Sequence, residues 1–266
     1  MTRVIVALIA AVLTFCATWF LPVEGFQYLV FVVTFLSLRE FSELFFPDLL
    51  ERWATIASGM VVALIMLWGS VAPEFIPVAL AVVLFFLALV FMKQTPELTG
   101  VMGRIGAASF ALLYLGVAPA LLAWLRELGE GRGWVLMMLV PACLTDTMGL
   151  VVGRLWGNRL LAPKVSPKKT WEGFWGALVG SLVGTAVVWV FFFRDAFPWW
   201  HVLGLGFLVW LVAPFGDLIE SMIKRSVGVK DSSHLIPGHG GILDRIDSLI
   251  LTSPFVYLYA RFILGW

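Results

Sequence analysis

The sequence predicts an all-α, polytopic integral membrane protein with about nine transmembrane helices, and three observations predict it. Of its 266 residues, 61% are hydrophobic and only 13% charged, with a mean hydropathy of +0.98, whereas a soluble domain carries about 25% charged residues. Apolar runs bounded by charges, Pro or Gly recur along the whole chain, and at about 20 residues per span nine of them fill most of it. Lys and Arg fall almost entirely into alternate loops. This composition excludes disorder, a coiled coil, a secreted disulfide scaffold and a sizeable water-soluble domain. The 18 basic and 17 acidic residues nearly cancel, which gives no reason to expect a nucleic acid partner. Residues 1–266 read as a single transmembrane domain.

Helix 1 is expected at about residues 4–21. Its run from Val4 to Leu21 follows Arg3 in the manner of a signal peptide, but it is longer than an h-region of roughly 7 to 15 residues. No small-x-small cleavage site follows, so it reads as a membrane helix. Helix 2, at about 26–38, is short. The mixed segment Arg39, Glu40, Phe41, Ser42, Glu43, Leu44, Phe45, Phe46 after it is expected to lie as an amphipathic turn or two at the membrane surface before Pro47. Helices 3 to 6 are expected at about 53–71, 75–92, 105–125 and 133–153, and helices 7 to 9 at about 173–193, 199–222 and 246–264. Gly176, Gly180 and Gly184, four residues apart, give helix 7 a close-packing face that permits a homodimer. Cys16 and Cys143 lie in apolar runs, where a thiol packs as a small hydrophobe.

The loops set an orientation. Arg126, Arg132, Arg194 and Arg261 fall on one side, and the other fourteen of the 18 Lys and Arg residues fall on the side of the N-terminal tail and the loops after helices 2, 4, 6 and 8. Short cytoplasmic loops accumulate such charges. The N-terminus is therefore expected in the cytoplasm and, since nine is odd, the C-terminus outside, in an inner or plasma membrane.

Asp146, Asp217 and Glu220 fall inside apolar stretches, and Asp244 and Asp247 stand at the mouth of helix 9. Ionisable groups at membrane depth are expensive and mark candidate functional sites, although any one of them could be a polar contact between helices. Asp217 and Glu220 are three residues apart, as are Asp244 and Asp247, so each pair shares a helix face. Carboxylates converging from neighbouring helices repel unless a cation holds them, and all-oxygen ligand sets suit Mg²⁺. On the same side lies the basic loop Lys164, Val165, Ser166, Pro167, Lys168, Lys169, Thr170, Trp171, Glu172, Gly173, with Lys224, Arg225 and Lys230 in the loop after helix 8. Part of that charge follows from the positive-inside rule. Its hydroxyls, point charges and free N–H groups before a helix start also suit phosphate oxygens. The turn Pro237, Gly238, His239, Gly240, Gly241 would let backbone amides approach an anion, and His239 fits a turn residue better than a proton acceptor. Carboxylates for Mg²⁺ beside cations for phosphates describe phosphoryl or nucleotidyl transfer to a lipid at the membrane interface.

The stretch Ser221 to Asp247, SMIKRSVGVKDSSHLIPGHGGILDRID, resembles the signature of the phosphatidate cytidylyltransferases, or CDP-diacylglycerol synthases. A second matching stretch runs from Asp146 through Gly153, Arg154, Gly157 and Pro163 to SPKKTWEG at 166–173, and Gly216, Asp217, Glu220 and Ser221 complete the pattern. The resemblance covers residues 141–266 in detail, as a catalytic half; residues 1–140 agree only in being helical and apolar. It implies a nine-helix membrane enzyme of phospholipid biosynthesis that converts CTP and phosphatidate to CDP-diacylglycerol and pyrophosphate, with Mg²⁺ and with K⁺ as a companion ion. Carried over by position, Asp217 and Asp244 look like the metal-binding pair with Asp247 close by, and Lys224 and Arg225 join these three as catalytic residues. Ser166, Lys168, Lys169, Thr170, Glu172, Ser221, Lys230, Asp231, His239, Gly240, Gly241, Arg245 and Asp146 look like the substrate-binding set. The sequence departs from the family after Asp146, where Gly149 and Leu150 replace the usual Ala-Tyr. Two rivals remain open: a CTP-dependent lipid kinase of the polyprenol type, which would release CDP, and a transporter or channel lined by Asp146, Asp217 and Glu220.

Overall fold

The computed structural model describes residues 2–68, 75–94, 99–233, 235 and 240–266. Among them nine helical rods follow one another: α1 (Thr2–Phe20), α2 (Val23–Phe45), α3 (Leu49–Trp68), α4 (Phe75–Gln94), α5 (Val101–Glu127), α6 (Gly131–Trp156), α7 (Trp171–Phe193), α8 (Trp200–Ser226) and α9 (Leu243–Ile263). The basic loop after α6, expected to be irregular, forms a short antiparallel hairpin of β1 (Leu160–Ala162) and β2 (Ser166–Thr170), with Leu160 opposite Thr170 and Ala162 opposite Ser166. Strands this short leave no periodic signal in sequence.

Seven rods, α3 to α9, are long and apolar enough to cross a membrane. Within α1 the described residues give the apolar stretch Ala11–Phe20, and α2, with Glu24, Arg39, Glu40 and Glu43, is too charged by that measure. The expected surface turn after residue 38 is not there, because α2 continues as one helix to Phe45. Arg39 and Glu43 pair at 2.9 Å on its exposed side, while Glu40, Phe41 and Ser42 are buried. The helix stops at Phe46, whose backbone is extended as the residue before Pro47 must be. Asp48 then caps α3, its Oδ1 accepting from the N–H groups of Leu50 (2.8 Å) and Glu51 (3.2 Å), so that α3 begins at Leu49 rather than near 53.

Close helix contacts set the positions of the polar residues. A Cβ at Gly184 of α7 would stand 2.6 Å from Pro141 Cα of α6, and Cβ atoms at Gly176 and Gly180 would collide with Val152 and with the Leu144 carbonyl. The glycine face expected to permit a homodimer is therefore covered by α6 of the same chain. Gly216 does the same for α8 and α9, since a Cβ there would lie 2.7 Å from the Asp247 carbonyl oxygen. That approach sets the acids of the two helices side by side. At the opposite end Trp134 packs against Phe193 (4.7 Å between ring centroids), Trp266 (5.6 Å) and Phe197 (6.1 Å), an aromatic cluster that ties α6, α7 and α9 together away from the acids.

Candidate active site

Asp217, Glu220, Ser221 and Lys224 recur at helical spacing and so share one face of α8. On that face the Lys224 ammonium lies 2.6 Å from Glu220 Oε2 and 2.5 Å from Asp244 Oδ1 of α9. The Glu220 side chain is fully buried and that of Asp244 is 6% exposed. The second oxygen of Asp244 accepts from the Ser232 N–H (2.9 Å), the Ser232 hydroxyl (2.7 Å) and the Gly241 N–H (2.7 Å). Both Asp244 oxygens are thus engaged within the protein. Gly240 has φ +77°, the left-handed region that favours glycine, and a Cβ there would run into the Asp244 carboxylate.

Asp217 is held differently. Its side chain is 33% exposed, with Lys169 Nζ at 2.8 Å and the Ser221 hydroxyl donating at 3.3 Å. Lys169 also donates to the Pro214 carbonyl (3.0 Å), so the hairpin delivers this cation to α8. Asp146 of α6 and Asp247 of α9 both stand within reach of the Asp217 charge. Ser248 sits between the last two: its N–H donates to Asp247 Oδ1 (2.6 Å) and its hydroxyl lies 3.5 Å from Asp146 Oδ2. Asp217 thus pairs with Lys169, whose charge also reaches Asp146, while the cation that acts on Asp247 is Lys224. The elements that meet here are those of the two signature stretches, and the profile of the cytidylyltransferase family matches residues 1–263 of the chain.

The chain belongs to the cytidylyltransferase family. It is 33% identical to a Pseudomonas aeruginosa protein named phosphatidate cytidylyltransferase, over 99% of this chain and 97% of that one. A Mycobacterium bovis protein of the same name is 40% identical over 46% of this chain and 39% of its own length. Phosphatidate cytidylyltransferase 5, chloroplastic, of Arabidopsis thaliana is 31% identical over 81% of this chain and 58% of its own. The chain therefore spans less than two thirds of the length of these mycobacterial and plant relatives.

In this cytidylyltransferase-family chain the remaining expected site residues divide into two groups. Ser166, Lys168, Arg225, Lys230, Asp231 and Arg245 lie around the rim, half-buried for Ser166 and exposed for the rest, with Arg225 Nη1 donating to the Val229 carbonyl (2.9 Å). Thr170 and Glu172 serve local structure. Thr170 Oγ1 caps α7 by accepting from the Gly173 N–H (3.1 Å), and Glu172 Oε2 accepts from the N–H groups of Asn158 (3.0 Å) and Arg159 (3.2 Å), closing the turn after α6. His239, with Pro237 and Gly238, lies outside the described residues. Leu150, where the resemblance implies a tyrosine, is exposed one turn from Asp146.

Two residues that sequence reading passed over belong to this end of the molecule. Tyr114 stands in a π-helical turn of α5, Leu112–Val117, a distortion frequent at functional sites. Its side chain is 6% exposed, its hydroxyl has no hydrogen-bond partner among the described residues, and Asp247, Glu220 and Asp217 are its charged neighbours. A tyrosine inside an apolar run was the available signal. Glu40 is the second, and nothing in its local sequence marks it.

Among the described residues no three Asp, Glu, His or Cys side chains form a ready metal cage. Mg²⁺ does not require one, because it is held by one or two carboxylates and completes its shell with water and substrate phosphates. The donor chemistry around Asp217, a part-exposed carboxylate with those of Asp146 and Asp247 near it, fits that ion.

Proposed function

We propose that the chain transfers the cytidylyl group of CTP to phosphatidate, releasing pyrophosphate and giving CDP-diacylglycerol, at the cytoplasmic end of a helix bundle in an inner or plasma membrane. The observation that carries the reading is the gathering of Asp146 and Asp247 near the Lys169-paired Asp217 at one end of the bundle, with Lys168, Arg225, Lys230 and Arg245 exposed on the segments that carry them. The names of the relatives support the choice of substrates.

In this reading a phosphate oxygen of phosphatidate, already ionised at neutral pH, forms a bond to the α-phosphorus of CTP while the bond from that phosphorus to the bridging oxygen breaks, and pyrophosphate departs. No protein base is required. Lys169, fixed between Asp217 and Pro214, and the rim cations hold the phosphates and stabilise charge as it moves to the leaving group. Mg²⁺ on Asp217 and Asp247, when bound, would offset the triphosphate charge and polarise the α-phosphate. Asp244 and Glu220 keep Lys224 in place, and Asp244 also accepts from Ser232 and Gly241.

The test is product analysis with purified protein in lipid nanodiscs. CTP with phosphatidate should yield pyrophosphate and CDP-diacylglycerol in equal amounts, and CTP alone should yield neither. Release of CDP with phosphorylation of a lipid alcohol would replace this reading with the lipid kinase.

A further inference from the structure

Glu40 lies in the N-terminal half, outside both stretches that resemble the family signature, yet its side chain reaches Ser232 and Ser233 after α8 and Ile242 and Leu243 at the start of α9. It is 4% exposed. Oε1 accepts from the Ser233 hydroxyl (2.7 Å) and the Ile242 N–H (2.9 Å), and Oε2 from the Leu243 N–H (2.9 Å) and the Ser232 hydroxyl (3.0 Å). Each oxygen thus accepts from one backbone N–H and from one serine hydroxyl. The Ser232 hydroxyl is shared, because it also stands 2.7 Å from Asp244 Oδ2 and has one proton to give.

We infer that Glu40 is the positioning residue for the site: from α2 it fixes both ends of the loop between Ser232 and Leu243, and with them Lys230, Asp231 and Asp244. The Ile242 and Leu243 N–H groups open α9 and are among those that a helix start leaves without an internal partner. Glu40 supplies their cap from another helix, with its charge at the positive end of the α9 dipole. Ser232 and Ser233 lie at the other end of the loop, directly after Lys230 and Asp231. Asp244 closes the same loop from inside through Ser232 and Gly241. Without Glu40 those donors lose their acceptor and the loop samples other arrangements. Only the ordered fraction would then bind substrate well, which raises the apparent KM by the inverse of that fraction and leaves turnover of the bound complex largely intact.

What the loop binds rests on the function proposed above; that Glu40 orders it does not, and the experiment separates the two. Glu40→Gln keeps the size but turns an NH₂ group toward donors, and Glu40→Asp keeps the charge one methylene short. In nanodiscs, Glu40→Gln should raise the KM for CTP about 10-fold or more while kcat stays within about threefold, with Glu40→Asp in between. Amide hydrogen exchange should accelerate at 231–233 and 240–243 and stay unchanged in α6 and α7. A fall in kcat at constant KM would overturn the inference in favour of direct catalysis. Parental kinetics in the folded fraction, with only the yield or thermal midpoint reduced, would overturn it in favour of a purely structural role. If the parent protein makes no pyrophosphate from CTP and phosphatidate, the substrate reading falls and exchange alone decides Glu40: unchanged protection at both loop ends in Glu40→Gln would sink it.

Discussion

Asp217 and Asp244 are the same chemical group in opposite surroundings. In sequence each stands three residues ahead of another acid, and the two read as one metal-binding pair. In the fold Asp217 keeps a third of its side chain exposed beside one lysine, whereas both oxygens of Asp244 are filled by Lys224, Ser232 and Gly241. The two Asn variants should therefore fail differently. Asp217→Asn should fold like the parent, lose activity by orders of magnitude and demand more Mg²⁺ for what remains, because a carboxylate open to a hard cation has lost its charge. Asp244→Asn leaves Lys224 with a single buried carboxylate and turns an amide toward N–H donors, which should lower stability by on the order of 3 kcal/mol. Added Mg²⁺ should not restore it. Thermal unfolding without metal, beside activity across a Mg²⁺ titration, distinguishes the two patterns. Equal thermal midpoints with an equal Mg²⁺ response would return Asp244 to the metal site as a partner of Asp217.

At the level of elements, the glycines of α7 carry a contact that their spacing announces but does not address. Four-residue spacing says that something comes close, and only the fold says that it is α6. Gly180→Val should force α6 and α7 apart against the Leu144 carbonyl, costing about 1–3 kcal/mol and displacing Asp146 relative to Lys169, so activity and thermal midpoint should fall together. Gly106→Ala in α5 has open space around its Cβ and should leave stability unchanged or raise it by up to about 1 kcal/mol. A dimer-face role would instead leave the Gly180→Val monomer as stable as the parent and change only its size by light scattering. The same contrast shows what was legible beforehand. Apolar runs located the rods to within a few residues, as with α6, expected at 133–153 and observed at Gly131–Trp156. The end of α2 was not legible, because charges that close a short apolar run look like a surface segment. Glu40 is buried only because its donors arrive from about two hundred residues later in the chain. The carboxylates of α8 and α9 were legible as chemistry, since charge in an apolar stretch needs a reason. Which of them face outward and which hold the loop depends on serines and backbone amides that carry no such signal.

At the scale of the whole molecule, orientation turns on whether α1 and α2 cross the membrane with the other seven rods. Gln27, near the start of α2, donates to the Leu67 carbonyl at the end of α3 and to Glu127 at the end of α5, while Glu40 meets the start of α9. α2 therefore runs from one face of the bundle to the other, its 23 residues covering about 35 Å at 1.5 Å per residue. α1 turns into it through Leu21 and Pro22, and Trp19 lies 6.2 Å from Phe192 and 5.5 Å from the Arg132 guanidinium, at the end away from the carboxylates. A rod of 19 residues leaving that end is long enough to return to the other face. Counted with α1 and α2 as spans, fourteen of the 18 cations fall on the carboxylate side, and the proposed orientation follows from the positive-inside rule, with that side in the cytoplasm. A reporter that matures only in the cytoplasm should then be active when fused ahead of Met1 or inserted after Lys164, and silent when inserted after Arg194 or fused after Trp266. Activity at both Met1 and Trp266 would mean an even number of crossings and would show that α1 does not span. Silence after Lys164 would turn the bundle over, put the carboxylates on the side that lacks CTP, and remove the physical basis for the proposed reaction.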